Sequence, residues 1–391
     1  MTPDCSGVDP RLEGSLDHRF ACIHPVPRAD VATVPLGDPS ASGARISTRA
    51  RPTGPEPRSD DGEVLLQVDR LTRDYPVTKG AVLQRRVGAV SAVADVTFDV
   101  RRGTTFGLVG ESGCGKSTLG RLIVGLDVPT SGTVRVAGVD HAELKGQRLK
   151  RSHRDVQLMF QDPFSSLDPR MRVGATLQEP LMIQGIGSRR QQRRTVVGLL
   201  DRVGLPEAAM HRYPHEFSGG QRQRIGLARA LALNPSLVVA DEPVSALDVS
   251  VQAQILNLLR DLQTGEDLTY VFISHDLSVV RYVSDVIAVM YLGKIVESGP
   301  AESVYVRPRH PYTRGLVDSV PVADPTSARP RAGITGELPS ATEPPTGCRF
   351  RTRCPRAEQI CSVEEPPLRP FGEDGHVAAC HFPLDSLSMV L

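Results

Sequence analysis

Eight consecutive residues, Gly110-Glu111-Ser112-Gly113-Cys114-Gly115-Lys116-Ser117, set three glycines, a lysine and a hydroxyl at the spacing G-x-x-x-x-G-K-[ST]. Glycines let a backbone curl so that successive N–H groups and a following helix N-terminus face one anion. Lys116 then reaches the β- and γ-phosphates of a nucleotide as a point charge, and the Ser117 hydroxyl is placed to ligate Mg²⁺. Cys114 holds a variable loop position and is assigned no chemistry. An acidic pair, Asp241-Glu242, closes the run Asn234-Pro235-Ser236-Leu237-Val238-Val239-Ala240. Asp241 can hold the Mg²⁺ shell, while Glu242, on the opposite side of a strand, can orient and deprotonate a water aimed at the γ-phosphate. Further along, Phe217-Ser218-Gly219-Gly220-Gln221 runs into the helical pattern Arg224–Leu231, a second anion-binding helix start with Ser218 as cap. One nucleotide does not need two such cradles.

These groups need elements to hold them. Thr105-Phe106-Gly107-Leu108-Val109 reads as a buried strand and Thr118–Val124 as a helix, the strand–loop–helix setting that a phosphate-binding loop requires. Asp241-Glu242 falls at the C-terminal end of an apolar strand, where ligands sit in open α/β sheets. Earlier strands are predicted over Val64–Val68 and Val93–Val100, with Thr78–Val87 as an inserted loop. Strand-like and helix-like segments then alternate to about residue 300, the pattern of an α/β domain with a largely parallel sheet. Residues 1–62 hold nine prolines, six glycines, one aromatic and no lysine, and show no apolar period, so they are expected to be unstructured. Beyond His310 the chain turns Pro-rich again and ends in a cysteine cluster, so 320–391 reads as a separate appendage.

Composition narrows the function classes. A length of 391 residues favours two or three domains, and 40% apolar residues suffice for a buried core. Lys and Arg number 46 against 45 Asp and Glu, so no basic excess drives nucleic-acid or anionic-membrane binding. The longest apolar run, Val286–Leu292, is far too short to span a bilayer and is flanked by Asp285 and Lys294. Met1-Thr2-Pro3-Asp4-Cys5 does not start a secretory signal, which leaves the cytosol as the expected compartment. Seven cysteines are too few for a disulfide scaffold, but four of them lie between Cys348 and Cys380.

With its motifs in this order, the sequence resembles the ATP-binding subunits of ABC transporters over roughly residues 63–391. Their Leu-Ser-Gly-Gly-Gln signature stands here with Phe217 in first place. Gln161 in Phe160-Gln161-Asp162-Pro163 is similar to the Q-loop, Ser245-Ala246-Leu247-Asp248 to the D-loop, and His275 in Ile273-Ser274-His275-Asp276 to the switch histidine. The resemblance implies an α/β, P-loop NTPase core with a mostly parallel sheet, a helical signature subdomain at about 162–235, and ATP with Mg²⁺ as ligands. It implies nucleotide contacts from Gly110, Glu111, Ser112, Gly113, Cys114, Gly115, Lys116, Ser117 and Thr118, with Gln161 on Mg²⁺ and the attacking water and His275 on the γ-phosphate. Tyr75 falls where the family places an aromatic that stacks on adenine. In the family two subunits sandwich two ATP molecules, so Ser218, Gly219, Gly220 and Gln221 would act in trans. A chromosome-maintenance ATPase would separate its phosphate loop and signature by a long coiled coil, whereas Lys116 and Ser218 are close in sequence. A regulatory nucleotide-binding module without transport remains as the alternative.

The resemblance extends into residues 310–391, which together with 63–309 make up the folded chain. His310-Pro311-Tyr312-Thr313-Arg314-Gly315-Leu316-Val317-Asp318-Ser319-Val320-Pro321, Gly336-Glu337-Leu338-Pro339-Ser340 and Gly347-Cys348-Arg349-Phe350-Arg351-Thr352-Arg353-Cys354-Pro355 resemble the C-terminal extension of oligopeptide and dipeptide importer ATPases. Phe160 through Met171 looks closer to the second of the two ATPases such importers carry. Nickel and glutathione importers share the extension, so cargo stays open. The implied partners are two transmembrane permeases, a second, non-identical ATPase and, indirectly, an extracytoplasmic solute-binding protein, with the chain peripheral on the cytoplasmic face of the membrane. Cys348, Cys354, Cys361 and Cys380 leave 5, 6 and 18 residues between them, in a segment too small to bury much. Four thiolates suit an iron–sulfur cluster or Zn²⁺, and because no pair is C-x₂₋₄-C a structural [4Fe–4S] cluster is favoured over Zn²⁺ and free thiols.

Overall fold

Val64–Lys79 (β1) and Arg85–Arg101 (β2) form a long antiparallel hairpin, paired from Val64 with Arg101 out to Lys79 with Arg85. The segment expected as an inserted loop, Thr78–Val87, is thus strand at both ends, because the backbone ladder carries pairing past the point where apolar alternation stops. Thr105–Val109 (β3) is buried at every residue and feeds the glycine-rich loop and Lys116–Ile123 (α1). Ser131–Val136 (β4) and Val139–Asp140 (β5) complete an antiparallel sheet in the order β2-β1-β4-β5. Gly146–Asp155 (α2) leads into Val156–Met159 (β6), and Val173–Gln184 (α3), Arg189–Arg202 (α4) and Gly219–Leu231 (α5) follow as a helical layer. Strand and helix then alternate: Leu237–Asp241 (β7), Val249–Glu266 (α6), Thr269–Ser274 (β8), Leu277–Val283 (α7), Val286–Tyr291 (β9), Lys294–Pro300 (β10) and Ala301–Val306 (α8). The chain closes with Pro311–Asp318 (α9), Ile360–Val363 (α10), Arg369–Pro370 (β11) and Val377–Ala378 (β12).

The computed structural model describes residues 13–15, 18–20, 62–79, 85–161, 167–320 and 333–385. It divides into two units, Met1–Pro52 and Thr53–Leu391. In the first, Glu13–Ser15 pairs antiparallel with His18–Phe20, so these six residues are strand where none was expected, with Ser15 paired to His18. The rest of the segment expected to be unstructured, apart from Gly62, lies outside the described residues.

In the second unit the main sheet runs β11-β12-β10-β9-β3-β8-β7-β6. Its centre is parallel, β9 and β8 both pairing with β3, and β7 lying between β8 and β6. Because side chains alternate across a strand, the buried strands serve two cores. Tyr270, Phe272, Val238 and Val289 face one, with Leu256 and Leu259 of α6 and the signature-side helices. Val271, Ile273, Val239 and Met290 face the other, with Leu119, Leu122 and Ile123 of α1 and the inward residues of the β1–β2 hairpin. The C-terminal segment is not a separate body: β12 pairs with β10, Glu297 opposite Ala378, and Tyr312 and Phe350 are buried in the first core. Glu297, fully buried, accepts hydrogen bonds from the backbone N–H groups of Arg309 and His310 and lies 2.7 Å from His376 Nε2. These contacts explain the integration, which Pro-rich sequence with few apolar residues does not announce.

Candidate active site

The parallel register gathers the chemistry at one end of the sheet. Ser274 pairs with Val109 and Ile273 with Asp241, so Gly110, Glu242 and His275 leave neighbouring strands side by side at their C-terminal ends. Met159 pairs with Ala240, which brings Gln161 to the same edge. Glu242 leaves β7 with a left-handed backbone, φ 46°, its N–H donating to Ile273 O. Its carboxylate accepts from Gln161 Nε2 at 3.0 Å and stands 3.2 Å from His275 Nδ1. Asp241 accepts instead from Ser117 Oγ at 3.1 Å, and burial pushes its carboxyl above the usual carboxylate range. The two acids thus meet different partners: Asp241 the hydroxyl of the phosphate loop, Glu242 the two polar side chains at its rim.

The loop itself walls a cavity of about 190 Å³ formed by Ser112 through Thr118 together with Gln161 and Glu242. Gly115 caps α1 at φ 110°, and a Cβ there would stand 2.0 Å from Ala92 O, so no other residue fits. Lys116, almost wholly buried, turns its ammonium onto its own loop, donating to Gly110 O at 2.7 Å and Glu111 O at 2.9 Å. A buried ammonium held by neutral groups, these two carbonyls and the Cys114 thiol at 3.8 Å, suits an anionic ligand. Cys114 is buried beside it, and burial pushes its thiol up, away from nucleophilic chemistry.

Other expected residues lie elsewhere. Ser218 and Gln221 form a reciprocal capping box at the start of α5, Ser218 Oγ accepting from Gln221 N–H and Gln221 Oε1 from Ser218 N–H. Gly220 packs on Val251, whose Cγ1 would be 2.4 Å from an added Cβ. None of Ser218, Gly219, Gly220 or Gln221 lines the phosphate cavity of its own chain. Tyr75 does not line it either: its hydroxyl donates to Asp127, and the Arg73 guanidinium lies 4.5 Å over its ring. Its cross-strand partner Val90 does line the cavity, with Ser91, Ala92, Leu292, Gly293 and Ala341. Sequence reading missed these six; the turn glycine Gly293 was the one local signal, since backbone-lined walls carry no motif.

Cys348, Cys354, Cys361 and Cys380 are free thiols. Burial raises those of Cys348 and Cys354 and pushes Cys380 up to about 11, with smaller contributions from the other cysteines. Cys348 N–H donates to Cys361 O at 2.8 Å. The four are therefore neighbours, yet among the described residues no three His, Cys, Asp or Glu side chains stand as a metal-binding group. This arrangement gives no support to the expected [4Fe–4S] centre.

A glycine-rich phosphate loop, an acid pair and a separate signature helix on this sheet define an ATPase of the ATP-binding-cassette class. The ABC transporter family matches residues 93–245, and the oligopeptide/dipeptide transporter C-terminal region matches residues 296–361. The chain is 48% identical over 322 residues to the oligopeptide transport ATP-binding protein AppF of Bacillus subtilis, covering 82% of this chain and 97% of that one. It is 48% identical over 316 residues to the dipeptide transport ATP-binding protein DppF of Escherichia coli, covering 81% and 93%. Among solved structures, the ATP-binding cassette MJ0796 in a post-hydrolysis dimer bound to ADP and Pi superposes with a TM-score of 0.53 at 28% identity, over 61% of this chain and 99% of that one. The chain belongs to the family of ATP-binding proteins of peptide ABC transporters.

Proposed function

We propose that this chain is the ATP-hydrolysing subunit that powers import of peptides of the oligopeptide/dipeptide class through a membrane permease. The observation that carries the hydrolytic part is the meeting of Gln161 and His275 on Glu242 beside the phosphate loop. In this reading Lys116 exchanges its loop carbonyls for the β- and γ-phosphates of ATP, and the N-terminus of α1 takes the rest of the anionic charge. Mg²⁺, held by Ser117 Oγ, Asp241 and Gln161, would neutralise phosphate charge when bound. Glu242 orders and deprotonates the attacking water, while His275 contacts the γ-phosphate. The position of Ser218 through Gln221 away from the cavity supports their action on ATP held by a partner ATPase, and Tyr75 is assigned to the adenine side through its neighbour Val90.

Among the described residues no helix is long and apolar enough to cross a membrane. Membrane attachment is therefore assigned to two permease subunits, at the cytoplasmic face, with a solute-binding protein delivering cargo from the far side. A groove of about 290 Å³ beside Gln161, flanked by exposed Leu126, Phe160 and Ile183, suits an apolar permease segment. The working partner is assigned as a second, non-identical ATPase. Proteoliposomes with both permeases, the binding protein and this chain should take up peptide on ATP addition only when the second ATPase is present. Uptake by this chain alone would overturn the heterodimer, uptake of nickel or glutathione but not peptide the cargo, and absence of ATPase activity in the complete assembly the whole reading. The iron–sulfur reading of Cys348, Cys354, Cys361 and Cys380 rests on four cysteines gathered in one short segment whose thiols feel one another's charge. About four irons per chain and broad absorbance near ~400 nm after anaerobic purification would support it; colourless protein with four titratable thiols would remove it.

A further inference from the structure

We infer that Arg353, in the C-terminal extension, is a positioning residue of the ATPase site, acting through Glu111 of the phosphate loop. The inference rests on the ATPase reading above and adds a residue to it. Glu111 is held from three sides. Its carboxylate accepts a two-pronged bond from the Arg353 guanidinium, Nη1 to Oε2 at 2.6 Å and Nη2 to Oε1 at 2.9 Å. Its backbone N–H donates to the hydroxyl of Tyr312 at 2.9 Å, and its carbonyl accepts from Lys116 Nζ. Two of these three holders, Arg353 and Tyr312, belong to the extension, and Ala341 of the same segment lines the phosphate cavity.

The clamp is built rather than incidental. Arg353 is 5% exposed at its side chain, and Tyr312 is fully buried, stacked edgewise on Tyr291 and tilted against Phe350. A two-pronged guanidinium–carboxylate pair with one partner this buried fixes direction as well as charge. Its chemical sense follows from the ligand. Glu111 places a carboxylate on the loop that must receive a polyanion, next to Ser112 of the cavity wall. Uncompensated, that carboxylate would repel the phosphates at short range; paired with Arg353 it does not, and the Glu111 carbonyl is kept where it holds Lys116.

The test compares ATP dissociation constants and the KM and kcat of hydrolysis in the full chain. Arg353→Gln, which keeps a polar stem and removes the charge, should weaken ATP binding and raise KM about tenfold while kcat changes less than threefold. Adding Glu111→Gln to Arg353→Gln should restore ATP binding to within about threefold of wild type, because the unpaired carboxylate is gone. Arg351→Ala, whose side chain binds Thr346 within the extension, should change neither value. Unchanged ATP affinity in Arg353→Gln, or a double variant as weak as the single, overturns the inference. Should Arg353→Gln fail to fold, Arg353→Lys in its place keeps the charge but loses the two-pronged grip and should raise KM about three- to tenfold with kcat within about threefold, and an unchanged KM would overturn the positioning role. Loss of ATP binding in Lys116→Ala tests the site reading separately.

Discussion

Glu242 can be separated from Asp241 by what each touches, and the separation predicts different phenotypes. Glu242→Gln keeps a hydrogen-bonding group for Gln161 and His275 but cannot take a proton, so turnover should fall about 10²- to 10⁴-fold while ATP affinity stays within about threefold. Steady-state hydrolysis and equilibrium nucleotide binding on the same preparation check this, and normal turnover would remove the base assignment. At this scale the sequence was most legible where chemistry is local. The loop Gly110–Ser117 and the pair Asp241-Glu242 are each complete within a few residues, so spacing alone marks them as candidates. Arg353 was illegible for the opposite reason: its partner Glu111 is 242 positions away, and only the folded sheet brings them together. Tyr75 shows the limit of an aromatic read by position, since its hydroxyl and one ring face are already engaged by Asp127 and Arg73.

Helix ends carry two further tests. Gly220 lies one residue inside α5 where Val251 leaves no room for a Cβ, so Gly220→Ala should destabilise the chain by about 1–3 kcal/mol. Adding Val251→Ala should recover much of that, and denaturant titrations of the two variants check it. His310 caps α9, its Nδ1 accepting from Tyr312 N–H, and burial lowers its pKa from 6.5 to about 4. The unfolded chain therefore takes up the proton first as pH falls through 6.5, and stability is lost until about pH 4, where the folded histidine also protonates. His310→Asn retains an acceptor for Tyr312 N–H and no titrating ring. Between pH 7 and 4.5 it should lose about 2–3 kcal/mol less stability than wild type, measured by urea unfolding at each pH; parallel losses would reassign the pH dependence to other groups. Buried central strands such as Thr105–Val109 were readable because every residue is apolar or small. The outer end of the hairpin was not, since the pairs Thr78 with Arg86 and Lys79 with Arg85 rest on main-chain bonds that leave no apolar signature.

At the scale of the molecule, the alternation of strands and helices up to residue 300 announced the parallel sheet, whereas the docking of residues 333–385 left no periodicity to read. Their most consequential contact concerns neither nucleotide nor cysteine. Without β12, the backbone of β10 at Glu297 and Ser298 would offer unpaired N–H and C=O groups beside the apolar Ile295 and Val296. An open, apolar edge of that kind is a template for another copy's strand. The C-terminal segment therefore acts as a guard against self-association: a chain shortened to end before residue 333 should form concentration-dependent aggregates at protein levels where the full chain sediments as a defined species. Sedimentation velocity across a dilution series reads the difference, and a monodisperse shortened chain would show that β10 is protected by something other than its neighbour.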